Sequence, residues 1–213
     1  MDGVLVDTEQ SWHDVRRRLS QQHGGAWHPG ANRAMQGLST SEWTSYMVRD
    51  LGIALERDEI ARLVSAELDR IYHRDPPFLP GALDTVRRLA SAGRHLALAS
   101  SSPRTIIDTL LDSGGITDAF SVVVSSEEVP RGKPSPDVYL EAARRLGVEP
   151  GHCAAVEDSH GGIRSAKAAG MRVIAIPNPT YPPDADSLAQ ADVTLDTLAD
   201  LTREKIATDA SAS

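Results

Sequence analysis

From about residue 80 onward the chain alternates two apolar patterns. Residues 94–100 (RHLALAS), 120–125 (FSVVVS), 152–157 (HCAAVE) and 172–177 (RVIAIP) are short, nearly continuous apolar runs. Such runs are expected of strands buried on both faces of a parallel sheet. Between them the period lengthens to that of a helix. GALDTVRRLASAG gathers Leu83, Val86, Leu89 and Ala90 on one face and stops at Gly93, and DVYLEAARRLG does the same with Tyr139, Ala142, Ala143 and Leu146 before Gly147. This alternation predicts an α/β protein with a doubly wound, Rossmann-like parallel sheet.

Residues 11–78 follow a different rule. WHDVRRRLSQQHG, TSEWTSYMVRDLG and RDEIARLVSAELDRIYH all read as helices, the last with a stripe of Ile60, Leu63, Val64, Leu68, Ile71 and Tyr72. RDPPFLPG (74–81) then returns the chain to the sheet. The expected organisation is an α/β core of residues 1–10 and 79–205, an all-helical insertion at 11–78, and a small, polar, flexible tail at 206–213.

At 213 residues one such core is the default, and 40% hydrophobic with 24% charged residues is ordinary globular composition. No apolar run is long enough to span a bilayer. Acids stand in MDGVLVDTE where a signal peptide would carry Lys or Arg, so a cytoplasmic protein without membrane association is expected. The single cysteine, Cys153, rules out an internal disulfide framework and a Cys-rich zinc site, and is expected to be a small buried residue. A net charge of −8 argues against nucleic acid as a partner, so an anionic substrate needs a local positive site.

In doubly wound sheets, ligands bind beyond the carboxyl ends of the strands. Four loops there carry chemistry: MDGVLVDTE, SSSPR (100–104), RGKPSPD (131–137) and EDSHGG (157–162). Together they supply acids, hydroxyls and a lysine, a set suited to a divalent metal and a phosphoryl group. Taken singly, each has an ordinary structural reading as a turn, a helix cap or a surface loop.

In that order along the chain, the four motifs resemble the haloacid dehalogenase superfamily, in the branch with a helical cap that includes small-molecule phosphatases and β-phosphoglucomutase. The resemblance covers nearly the whole chain. It implies Mg²⁺-dependent phosphoryl chemistry on a small phosphorylated metabolite, a sugar phosphate by default, in a monomer or weak dimer. Asp2 is implied as general acid and base, with its carbonyl on the metal; Ser100 as a phosphoryl ligand; Lys133 as the charge that offsets the phosphate; and Glu157 with Asp158 as the rest of the metal site. Thr8, Trp12, Gln36, Gly37, Ser101 and Arg104 are implied as substrate contacts, with Trp43 a further candidate. The helix beginning near Pro103 is expected to add a positive end. Asp7 is expected to shape the turn into the cap.

The family's first motif is Asp-x-Asp-Gly-x-x-x-Asp-Thr/Ser, and Met1, Asp2, Gly3, Asp7 and Thr8 match all but its first aspartate. That residue is the family's nucleophile and falls one position before Met1. The expectation is therefore a chain cut short within its central strand, with little turnover as it stands. A missing central strand would leave N–H and C=O groups of its neighbours unpaired, at about 1–3 kcal/mol each. A mutase and a non-catalytic binding protein are alternatives to the phosphatase. A β-phosphoglucomutase-like mutase is disfavoured because the Lys-Gly-x-x-Arg of those enzymes is replaced by Gln36, Gly37, Leu38, Ser39 and Thr40, and their cap histidine by Trp12. A non-catalytic Mg²⁺- and phosphate-binding protein would need another segment to fill the strand, and the chain offers none.

Overall fold

A computed structural model describes residues 1–179 and 182–207. Four helices come first, with no strand between them: α1 (Glu9–Gln22), α2 (Ala31–Met35), α3 (Thr40–Arg49) and α4 (Arg57–Arg74). In α4 the stripe narrows to Ile60, Val64, Leu68 and Tyr72, each fully buried one turn after the last. Burying a large apolar side chain contributes roughly 1.5–3 kcal/mol, which fixes the face α4 turns inward. Leu63 and Ile71 flank that face and remain half-buried.

The second part alternates: α5 (Ala82–Ser91), β1 (Leu96–Ser100), α6 (Arg104–Gly114), β2 (Phe120–Ser125), α7 (Asp137–Leu146), β3 (Ala154–Glu157), α8 (His160–Ala168), β4 (Arg172–Ala175), α9 (Ala185–Leu188), β5 (Val193–Thr194) and α10 (Arg203–Ile206). All four apolar runs are strands. β5, two residues long, escapes a pattern search because it holds only a single repeat of the two-residue strand period. α10 runs through Ile206, into the stretch expected to fray, whereas residues 208–213 of that stretch lie outside the described residues.

The strands form two parallel sheets rather than one, β1–β2 and β3–β4–β5. At their carboxyl ends lies a tight turn, in which the Gly3 N–H donates to the Val6 carbonyl at 2.8 Å. Val6 makes single bridges to Asp2 and Phe78, so this segment contributes a turn and no strand. α7 packs on β1 and β2, α8 on β3 and β4, and α4 lies against α6. The last contact is pinned by the Thr109 hydroxyl, which donates to Asp69.

Candidate active site

The turn at the start of the chain aims Asp2 at the loop after β1. Thr8 Oγ1 donates to Asp2 Oδ1 at 2.5 Å and Ser102 Oγ donates to Oδ2 at 2.7 Å. Both carboxylate oxygens are thus held by hydroxyls from separate loops, which fixes the plane of the group. Ser102 N–H donates to Ser100 Oγ at 3.1 Å, closing the loop on itself. On the other side the turn meets Asp158. A Cβ on Gly3 would stand 1.8 Å from Asp158 Oδ2, and φ there is +69°, so glycine is required twice over.

Behind this lies a buried ion pair. Lys133 Nζ donates to Glu157 Oε1 at 2.5 Å and to the Ala99 carbonyl at 3.2 Å, and the Tyr139 hydroxyl donates to the same glutamate oxygen. Burial pushes the Glu157 carboxyl up, but the Lys133 charge and these hydrogen bonds hold it below its usual value. Tyr139 is pushed well above its usual value by burial and by the Glu157 charge. Asp158 has no such cation in contact, and burial together with the charge of Glu157 raises it to about 7. α8 starts next to both acids. Its N-cap hydroxyl, Ser159 Oγ, accepts from Gly162 N–H, and a Cβ on Gly162 would meet Glu157 Oε2 at 1.9 Å.

One open cleft is lined by Asp2, Thr8, Trp12, Gln36, Gly37, Trp43, Ser100, Ser101, Lys133, Glu157 and Asp158. All but one of the expected site residues therefore meet in a single place. Arg104 stands apart: its guanidinium pairs with Asp108 at 2.8 Å and faces Glu128 at 3.7 Å on an exposed surface. At the start of α6 one N–H, that of Arg104, donates to Glu127 Oε2 at 3.2 Å. Arg104 itself does not supply the positive spot expected of it.

The family described as haloacid dehalogenase-like hydrolase matches residues 1–170. The chain belongs to the haloacid dehalogenase-like hydrolases. Hexitol phosphatase B of Escherichia coli (strain K12) is 32% identical over 212 residues, covering 97% of this chain and 93% of that protein. A bifunctional riboflavin kinase/FMN phosphatase of Arabidopsis thaliana is 35% identical over 210 residues; the match takes in 96% of this chain but spans about half, 54%, of that protein's length. Among solved structures, CbbY from Rhodobacter sphaeroides in complex with xylulose-(1,5)bisphosphate superposes with a TM-score of 0.87 at 25% identity, over 97% of this chain and 96% of that one.

Within this hydrolase site the donor set suits a hard cation only in part. Asp2 and Asp158 present oxygens to the cleft, and a buried carboxyl raised to about 7 is one that a cation would return to its charged form. Among the described residues, however, no three His, Cys, Asp or Glu side chains gather as a metal-holding set. The expected trio of Asp2, Glu157 and Asp158 is not preassembled, because Lys133 and Tyr139 draw Glu157 Oε1 to themselves.

Ser102, Glu9 and Arg16 also line the cleft of this hydrolase, with no role expected of them from the sequence. Ser102 is the third hydroxyl of the run that begins at Ser100, Glu9 closes the MDGVLVDTE stretch, and Arg16 lies on α1, outside the strand-end loops. A signal for Arg16 exists: it falls in the series Trp12, Val15, Arg16, Leu19, Ser20, the buried face of α1. An arginine there faces inward. Burial lowers it to about 10, partly offset by the charge of Glu9, so it is a cation at neutral pH. Cys153 also differs from expectation; it precedes β3 and is half-buried.

Proposed function

We propose that this site belongs to a Mg²⁺-dependent phosphatase acting on a small phosphorylated metabolite of the sugar-phosphate class. The observation that carries the reading is the convergence of Asp2, Ser100, Ser101, Lys133, Glu157 and Asp158, from four separate loops, on one cleft. Hexitol phosphatase B, similar along nearly its whole length, supports the substrate class.

In this reading Asp2 moves the proton. It is held in orientation by Thr8 and Ser102 while it protonates the leaving oxygen and later takes a proton from water. The Ser100 and Ser101 loop binds phosphoryl oxygens, and Lys133, fixed by Glu157, offsets their charge. Asp158 and the Asp2 segment hold the metal, which supplies positive charge to the phosphoryl group. In the family motif the attacking carboxylate stands two positions before the acid–base aspartate, and the reading is of hydrolysis by a chain that carries that aspartate. Helices α1–α4 form the cap that closes over the leaving group, corresponding to the proposed 11–78 insertion on a core of 1–10 and 79–205.

The test is phosphate release from a panel of sugar and polyol phosphates by a chain extended upstream of Met1 through that aspartate. Hydrolysis abolished by EDTA and restored by Mg²⁺ is expected. Metal-independent release, or none on any member of the panel, contradicts the reading.

A further inference from the structure

One wall of the cleft holds a buried cation that the chemistry above does not use. Arg16 is 6% exposed and lines the cleft. Its guanidinium carbon stands 4.4 Å from the Trp12 ring centroid and 4.7 Å from that of Trp43, the two rings meeting edge-on at 6.0 Å. The indoles hold the charge in place but leave its donors wanting: Arg16 Nε has no hydrogen-bond partner. A buried donor left unpaired is costly, and the guanidinium that carries it belongs to a residue lining the cleft.

The surroundings say which ligand. Glu9 also lines the cleft, and burial together with the charge of Asp2 raises its carboxyl, with the amides of Gln36 and Asn32 acting against this. This wall therefore offers a planar guanidinium donor beside a carboxylate acceptor. A hydroxyl donates and accepts, so adjacent hydroxyls satisfy both kinds at once. A second phosphate would satisfy Arg16 but face Glu9. The other cation of the cleft, Lys133, is already committed to Glu157.

We propose that Arg16 is a specificity-determining residue which, with Glu9, reads adjacent hydroxyls of the leaving group and selects polyol or sugar monophosphates over bisphosphates and over simple alkyl phosphates. The inference rests on the phosphatase reading of the same cleft. The positive charge on this wall comes from α1, not from the 36–40 segment where the mutases carry Lys and Arg.

Binding tests it without turnover, using residues 1–213 with Mg²⁺ and following the fluorescence of Trp12 and Trp43 and the heat of titration. The ligands are inorganic phosphate, ethyl phosphate, a hexitol 6-phosphate and a hexose 1,6-bisphosphate. The hexitol phosphate is expected to bind at least about tenfold tighter than ethyl phosphate, equivalent to roughly 1.4 kcal/mol. Arg16→Met and Arg16→Lys should each bring that ratio to within about twofold while inorganic phosphate binds as before, since lysine keeps the charge but lacks the fork. Near-ultraviolet circular dichroism identifies a variant that fails to fold, and the other then carries the test. Equal affinity for hexitol and ethyl phosphates, or an advantage that survives both substitutions, overturns the role of Arg16 and leaves the phosphate site standing. Tightest binding of the bisphosphate, retained in Arg16→Lys, overturns it in favour of a second-phosphate site. No binding of inorganic phosphate overturns the phosphatase reading and this inference with it.

Discussion

Lys133 Nζ lies 2.5 Å from Glu157 Oε1, in a pair whose side chains are 9% and 6% exposed. Neither charge is well placed to interact with water, and each is the other's main compensation. The pair joins the loop after β2 to the end of β3, across the two sheets. It therefore links strands that share no ladder hydrogen bond.

Breaking this pair from one side leaves an uncompensated buried charge. Lys133→Met and Glu157→Gln are each expected to cost about 3–5 kcal/mol of stability, read as a lower midpoint in urea unfolding. The double variant should recover part of that loss. Single-variant losses below about 1 kcal/mol would show that the pair is open to solvent.

Gly3→Ala should damage the site more than the fold. Its Cβ would collide with the Asp158 carboxylate at 1.8 Å while the backbone sits at φ +69°. Non-glycine residues in such conformations cost on the order of 1–3 kcal/mol, and Asp158 must also move. Mg²⁺ affinity measured by calorimetry is expected to fall at least tenfold. Unchanged affinity would mean that Asp158 does not hold the metal.

Metal addition should itself stabilise the chain. A ligand that binds only the folded state at a hundred times its Kd adds about 2.7 kcal/mol, so the thermal midpoint should rise with Mg²⁺ concentration. In Asp158→Asn that rise should vanish. A midpoint indifferent to Mg²⁺ in the parent chain contradicts the metal site.

Much of this was legible from pattern alone. The four apolar runs became β1 to β4 because continuous Val, Ile, Leu and Ala cannot be satisfied with one face in water. Ser100, Lys133, Glu157 and Asp158 were legible because the ends of such strands converge. Arg16 was not, because a search confined to strand ends passes over the helices. A run of three arginines, Arg16 to Arg18, reads as a solvated face until the stripe through Trp12, Val15 and Leu19 is traced beneath it. Arg104 misled for the opposite reason. It sits next to the serines of the 100–102 loop in sequence, but helix geometry swings it toward Asp108, one turn on. Gln36 was expected through the family resemblance alone, because its place in the cleft depends on how α2 packs, which no local pattern encodes.

The central claim is that Asp2, clamped by Thr8 and Ser102, carries the proton for phosphoryl transfer. It is tested most directly by the rate of phosphate release from the upstream-extended chain with and without Asp2→Asn. Proton transfer by a positioned side chain is worth about 10²–10⁴ in rate, so a loss of that size with phosphate binding preserved is the predicted result. A variant that turns over within about threefold of its parent would contradict the account.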